Sequence, residues 1–167
     1  MKLKGYPCIG LEQKTKTKKQ IVVSRTFSKK VNDLDSINEA VSDYASRACE
    51  KLRREDQYCK MVSVFMRTNY FRKQDQQYQG FRSYRLFSPT NDTRDILNAT
   101  RQLTKQIFKP HINFIKAGVM LSDFYDEDVY QGDLFRIRDK RINSKELMTT
   151  IDTINSSGIG KVTFASQ

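Results

Sequence analysis

The sequence predicts an α+β domain in which strands and helices alternate as β-α-β-β-α-β. Three observations lead there. Residues 36–55 and 92–108 repeat apolar side chains at three- and four-residue steps, the period of an amphipathic helix. Residues 20–27, 58–68, 81–87 and 112–122 are short runs rich in β-branched or aromatic residues, as strands are. Ten Phe and eight Tyr in 167 residues argue against disorder and for one core, with at most a small appendage.

Taken in order, residues 1–17 read as a linker, since Gly5, Pro7 and Gly10 break any periodicity before Lys14, Lys16, Lys18 and Lys19. Residues 18–125 form the main domain, opening on the strand QIVVSRTF at 20–27. In the first helix Ile37, Ala40, Val41, Tyr44, Ala45, Ala48 and Leu52 make one apolar stripe. Ser36 and Glu39 predict a capping box, and Lys51, Arg53 and Arg54 suit the negative end of the helix dipole. The second and third strands flank a loop holding Gln74, Gln76, Gln77 and Gln79, expected to be mobile. In the second helix Ile96, Leu97, Thr100, Leu103, Thr104 and Ile107 line the inner face, and Pro110 stops it. In the fourth strand Ile115, Ala117, Val119 and Leu121 alternate inward.

Both helices then cover one face of an antiparallel four-stranded sheet, the split βαβ or ferredoxin-like arrangement, and the other face stays open for a partner. That face would carry Arg25 or Ser24, Arg67, and Arg82 or Arg85. The first two strands are apolar at both parities, so the alternation leaves the outward set open. Residues 126–143 read as a linker, acidic and then basic, and 144–167 as a small helix–strand region. Leu147, Met148, Ile151 and Ile154 share one side of a helix at 144–154, Ser156, Ser157, Gly158 and Gly160 make a turn, and a last strand is expected at 162–165.

Charge points to a polyanionic partner. The formal net charge is +11, and it is uneven: residues 1–110 hold 23 Lys and Arg against 11 Asp and Glu, residues 111–167 hold 7 against 8. A field of that sign attracts nucleic acid. Lys18, Lys19, Ser24, Arg25, Thr26, Arg82, Ser83 and Arg85 are the candidate contacts, because cations interleaved with hydroxyls hold phosphates without reading bases. The plainer alternative is a solvated strand face. An RNA-recognition module shares the strand order, but the aromatic motif of its sheet is absent here.

Other chemistry finds little support. Cys8, Cys49 and Cys59 form no CxxC pair and are odd in number, so neither a disulfide framework nor zinc is indicated. The first ten residues lack a signal peptide's apolar run, and no stretch approaches the ~20 apolar residues of a membrane span, which reads as a cytoplasmic protein with no membrane partner. Asp123, Asp126, Glu127 and Asp128 lack the spacing of a cation loop; Asp123, Asp126 and Asp128 would be the site of the alternative reading, a small metal-assisted enzyme. His111 stands alone after Pro110, and no GxGxxG, P-loop or GxSxG pattern occurs. No catalytic residue, metal ligand or cofactor is therefore expected in this chain.

Several strings carry a family resemblance. Residues 18–27 resemble the opening strand of the little-finger domain of Y-family lesion-bypass DNA polymerases, which ends in Ser-Arg-Thr/Ser-Phe, and KAGVML at 116–121 resembles its last strand. Leu3-Lys4-Gly5, Pro7-Cys8-Ile9, Leu11-Glu12, then Phe65, Thr68 and Phe71, then Pro89-Thr90 with Asp92 resemble the UmuC group of that family. Leu147-Met148, Ile151-Asp152, Ile154-Asn155, Gly160 and Phe164-Ala165 resemble the small region that follows its little finger. The resemblance spans nearly the whole chain in order. It implies the C-terminal part of a translesion polymerase of the SOS response and DNA repair, gripping primer–template duplex through its backbone. The catalytic carboxylates and their Mg²⁺ would belong to a palm domain upstream. QGDLF at 131–135 resembles the family's sliding-clamp-binding peptide, with Gln131, Asp133, Leu134 and Phe135 as its contacts and Gly132 where Leu is commoner. A UmuD-like subunit and a RecA filament are further partners the resemblance suggests.

Overall fold

A computed structural model of the protein describes residues 18–72, 74–126 and 143–164. The elements are β1 (Gln20–Val31), α1 (Leu34–Arg54), β2 (Gln57–Arg67), β3 (Gln79–Thr90), α2 (Thr93–Ile107), β4 (Phe114–Asp126) and α3 (Ser144–Ser156). The first six follow the expected β-α-β-β-α-β order, in one antiparallel sheet ordered β1-β4-β2-β3. Each βαβ unit is thus split by one strand: β4 lies between β1 and β2, and β2 lies between β3 and β4.

Residue type explains which strands are central. β2 and β4 bury Val62, Val64, Met66, Ala117, Val119 and Leu121 under the helices, whereas β1 and β3 keep most positions exposed. Directly opposed residues share a face. One helix-side row runs Ile21, Leu121, Val62, Tyr84; the next runs Val23, Val119, Val64, Arg82; the third runs Arg25, Ala117, Met66, Gly80. Helix α1 closes this face with Ile37, Val41, Tyr44, Ala45, Ala48, Cys49 and Leu52, and α2 with Ile96, Ala99, Leu103 and Ile107.

Several local expectations are corrected. Helix α1 begins earlier, and its cap is Asp33, whose carboxylate accepts from the Ser36 backbone N–H at 2.7 Å; the Ser36–Glu39 capping box is not formed. That hydrogen bond holds the Asp33 carboxyl below its ordinary range. β3 runs from Gln79 to Thr90, past the expected 81–87, because Pro89 is tolerated on an edge strand at a register slip between Cys59 and Met61. β4 begins later and continues to Asp126. The other edge strand slips as well, between Thr26 and Val31, so Ser28, Lys29 and Lys30 bulge away from the ladder. Two slipped edges discourage edge-to-edge pairing with another sheet.

No strand forms among the described residues of 162–165. The Asn155 carboxamide takes the place of a partner strand: it donates to the Val162 carbonyl at 3.0 Å and accepts from the Val162 N–H at 2.6 Å. Nor does α3 bury a whole apolar side. Met148 is buried, Ile151 half-buried, and Leu147 and Ile154 stay exposed.

Polar contacts hold α3 on the main domain. Arg53 donates to both carboxylate oxygens of Asp152 at 2.6 Å, and its third nitrogen reaches the Asn91 carbonyl and the Thr93 hydroxyl at 2.9 Å. Burial works against the Arg53 charge, but the Asp152 contacts outweigh it and the pKa lies above the ordinary guanidinium value. Ser144 donates to Asp92, the N-cap of α2, at 2.6 Å, and Arg94 forks onto the same carboxylate. The loop between β2 and β3 is stitched from within: the Gln77 amide donates to the carbonyls of Asn69, Arg72 and Asp75.

Candidate nucleic-acid interface

The sheet face away from the helices can be written as four rows across β1, β4, β2 and β3. From one end they are Thr26, Lys116, Arg67, Gln79; then Ser24, Gly118, Phe65, Phe81; then Val22, Met120, Ser63, Ser83; then Gln20, Ser122, Met61, Arg85. Among the described residues no helix covers them. Hydroxyls recur in every row, cations sit in the first and last, and two rings and the Met120 thioether lie between, with Met61 in the last row.

The two ends differ electrically. Arg85 is tied to Asp123 at 3.1 Å. Asp123 has a left-handed backbone (φ 58°), which interrupts the regular alternation of β4 and lets its carboxylate reach this face. At the other end Arg67 and Lys116 have no ion-pair partner among the described residues. Between the ends, Ser63 and Ser83 share a cross-strand hydrogen bond at 2.9 Å. Gly118 leaves space that Phe65 and Ser24 occupy: a Cβ there would lie 2.4 Å from the Phe65 ring and 2.5 Å from the Ser24 Cβ.

Of the eight candidate residues, Ser24, Thr26, Ser83 and Arg85 come together on this open face. Arg25 and Arg82 belong to the opposite parity and project from the two edge strands on the helix side, opposite Ala117 and Val64. Lys18 is ion-paired with Glu55, and Lys19 is exposed just before β1. The face also carries Lys116, Ser63, Ser122, Phe65 and Met120, none of which was among the eight candidate contacts. A signal existed: once Ala117, Val119 and Leu121 are placed inward, Lys116, Gly118 and Met120 must point outward. The clamp-like residues Gln131, Asp133, Leu134 and Phe135 lie outside the described residues.

The remaining reactive groups are accounted for structurally. Cys49 and Cys59 are fully buried; burial pushes the Cys49 thiol up to about 12 and Cys59 well above its usual value, so neither is a thiolate near neutrality. His111 is exposed in a turn with φ 65°. Among the described residues no three His, Cys, Asp or Glu side chains converge as a metal ion would require. A hollow of about 670 Å³ lies beside β1, α1 and the tail, but its charges are mostly paired: Arg47 and Lys161 with Asp43, Arg54 with Glu50, Arg53 with Asp152. Among the described residues no helix is long and apolar enough to cross a membrane.

Residues 18–134 match the impB/mucB/samB family C-terminal domain. Protein ImpB of Salmonella typhimurium is 42% identical over 165 residues, covering 99% of this chain and 39% of its own length. Protein UmuC of Salmonella typhimurium (strain LT2) is 40% identical over 166 residues, and protein MucB of Escherichia coli 41% over 165, with the same shares covered. The chain therefore spans 39% of the length of these relatives. Among solved structures, one described as a complex of the beta-clamp processivity factor and the little finger domain of PolIV aligns at a TM-score of 0.49 and 12% identity, over 69% of this chain and 97% of that one. With 40% identity across 99% of its length to proteins such as UmuC, and the family's C-terminal domain at residues 18–134, the chain belongs to the impB/mucB/samB family.

Proposed function

We propose that this chain grips primer–template duplex as the C-terminal part of a translesion polymerase, with the open sheet face as the contact surface. The observation that carries this reading is the four-row face, where hydroxyls in every row accompany Arg67, Lys116 and Arg85 and no element of the described chain covers them. Such groups bind phosphate and sugar positions of any sequence. Polymerisation itself would rest on palm carboxylates and Mg²⁺ in the rest of a longer parent; the donor set that such an ion needs has no counterpart among the described residues. Targeting to a sliding clamp would rest on 131–135, and UmuD-like or RecA partners on the parent assembly.

The test is the salt dependence of duplex binding. Each neutralised phosphate contributes a slope of about −0.9 in log K against log salt. Replacing Arg67 and Lys116 by Gln should reduce the slope by about two without creating sequence preference. An unchanged slope would remove the open face as the phosphate contact. A second reading, single-stranded RNA, draws on Phe65 opposite Phe81 in the second row, the arrangement on which bases stack. Competition between RNA and duplex for the same chain separates the two.

A further inference from the structure

The sheet's cationic end runs directly into a feature that duplex binding does not use. Immediately after Arg67, the β2–β3 loop holds Tyr70 and Phe71 at its tip, 83% and 91% exposed, with ring centroids 5.9 Å apart and nearly perpendicular. Two adjacent rings bare at one point make a small contiguous apolar patch, the kind of surface that marks a contact. The loop is not free to fold them away, since Gln77 ties three of its carbonyls, Asn69 accepts from the Phe71 N–H at 3.0 Å, and the Thr68 hydroxyl accepts from the Tyr78 N–H at 2.9 Å.

The ground beside the rings is basic. The β1 bulge brings Lys29 and Lys30 against Asn69, Arg72 and Asp75, around a hollow of about 330 Å³. Lys30 is neutralised by Asp75 at 2.7 Å, while Lys29 and Arg72 have no ion-pair partner among the described residues. Exposed rings next to unpaired cations suit a ligand that offers both flat π-faces and phosphates. A paired duplex hides its base faces within the stack, so it offers nothing to Tyr70 or Phe71. Unpaired nucleotides offer both groups at once.

We infer that the β2–β3 loop tip, Tyr70 and Phe71 with Lys29 and Arg72, is a stacking site for unpaired nucleotides at the point where single strand leaves the duplex held on the open face. The inference rests on the duplex reading for its placement and on the loop alone for its chemistry. Stacking on an aromatic side chain is sequence-tolerant, which matches a contact that cannot depend on template sequence.

The experiment compares three probes with the 167-residue chain by fluorescence anisotropy: a blunt two-stranded duplex, the same duplex with a 5′ oligothymidine tail on one strand, and the oligothymidine alone. The tailed duplex should bind about tenfold more tightly than the blunt one. A Tyr70→Ala/Phe71→Ala double variant should lose that advantage and keep its blunt-duplex affinity. Both rings are exposed, so its melting temperature should match the parent's. Equal affinity of the parent for tailed and blunt duplex, or a variant weakened equally on both, overturns the proposal and points the rings to a protein partner. Failure of the parent to bind blunt duplex is a separate outcome that sinks the open-face reading. The loop tip is then judged on oligothymidine alone, where no loss in the double variant overturns it.

Discussion

Gly118 sits in the middle of the open face with Phe65 on one side and Ser24 on the other. The contacts its missing Cβ would make, at 2.4 and 2.5 Å, are well inside van der Waals distance. The Phe65 ring can swing, but the Ser24 Cβ is fixed to β1 and can yield only by moving the edge strand. Gly118→Ala should therefore destabilise the domain by about 1–3 kcal/mol, the ordinary cost of overpacking. A urea unfolding curve checks this, and a midpoint equal to the parent's would show that the close approach is not enforced. At this scale the sequence was partly legible. The inward set of β4 was readable from alternation at Ala117, Val119 and Leu121, but Ile115, expected inward with them, stays outside the core while Phe114 is buried; Gly118 looked like any glycine in a strand until its neighbours across the sheet were known. Asp33 was missed as the cap for a related reason: Ser36 and Glu39 have the spacing of a capping box, but Asp33 stands three residues before Ser36 and its carboxylate accepts from the Ser36 N–H.

Among the elements, α3 is the one whose attachment is least secured by apolar burial. Met148 is its one fully buried side chain, worth roughly 1.5–3 kcal/mol, so the charged contacts decide whether the helix stays docked. Asp92 is central to them. Burial raises its pKa, but Arg94, Ser144 and the Arg94 backbone N–H outweigh burial, and the net value lies below the ordinary one. Because the folded-state pKa is depressed, Asp92 contributes stability that is complete above the usual Asp value of about 3.9 and is lost as pH falls through the lowered one; its hydrogen bond from Ser144 is the part that holds α3. Acidification should thus release α3 before the core unfolds, read as amide exchange in 144–156 rising ahead of exchange in β2 and β4. Asp92→Asn keeps a good N-cap for α2 while removing the charge. It should expose the α3 amides already at neutral pH and flatten their pH dependence. Unchanged protection in that variant would assign the docking to Arg53, Asp152 and Met148 instead. The sequence pattern placed the helix correctly but not its contacts, because Leu147, Met148, Ile151 and Ile154 read as a buried side where one residue anchors and ion pairs supply the rest.

For the molecule as a whole, the alternation of helices and strands was legible from periodicity, and the strand order β1-β4-β2-β3 was not. Order depends on which strands tolerate burial on both faces, and parity alone could not separate β1 from β2, both apolar at odd and even positions. The uneven charge was legible as well: the basic excess lies before residue 111, in the stretch that includes three of the four sheet strands, whereas QGDLF falls in the remainder, where acids slightly outnumber bases. DNA attraction and clamp capture would then be separable functions of one chain. The expected clamp contacts are chemical complements of an apolar cleft: Leu134 and Phe135 supply buried area, Gln131 a rim hydrogen bond, and Gly132 nothing apolar while adding backbone freedom that binding must remove. Leu134→Ala/Phe135→Ala should abolish capture of a purified sliding clamp in surface plasmon resonance and leave the salt slope of duplex binding unchanged. Gly132→Leu should act in the other direction, tightening clamp binding by several-fold to about tenfold through added apolar burial and a stiffer backbone. Clamp binding that survives loss of both Leu134 and Phe135 would move the contact elsewhere on the chain. A Gly132→Leu variant no tighter than the parent would show that this position does not enter the cleft.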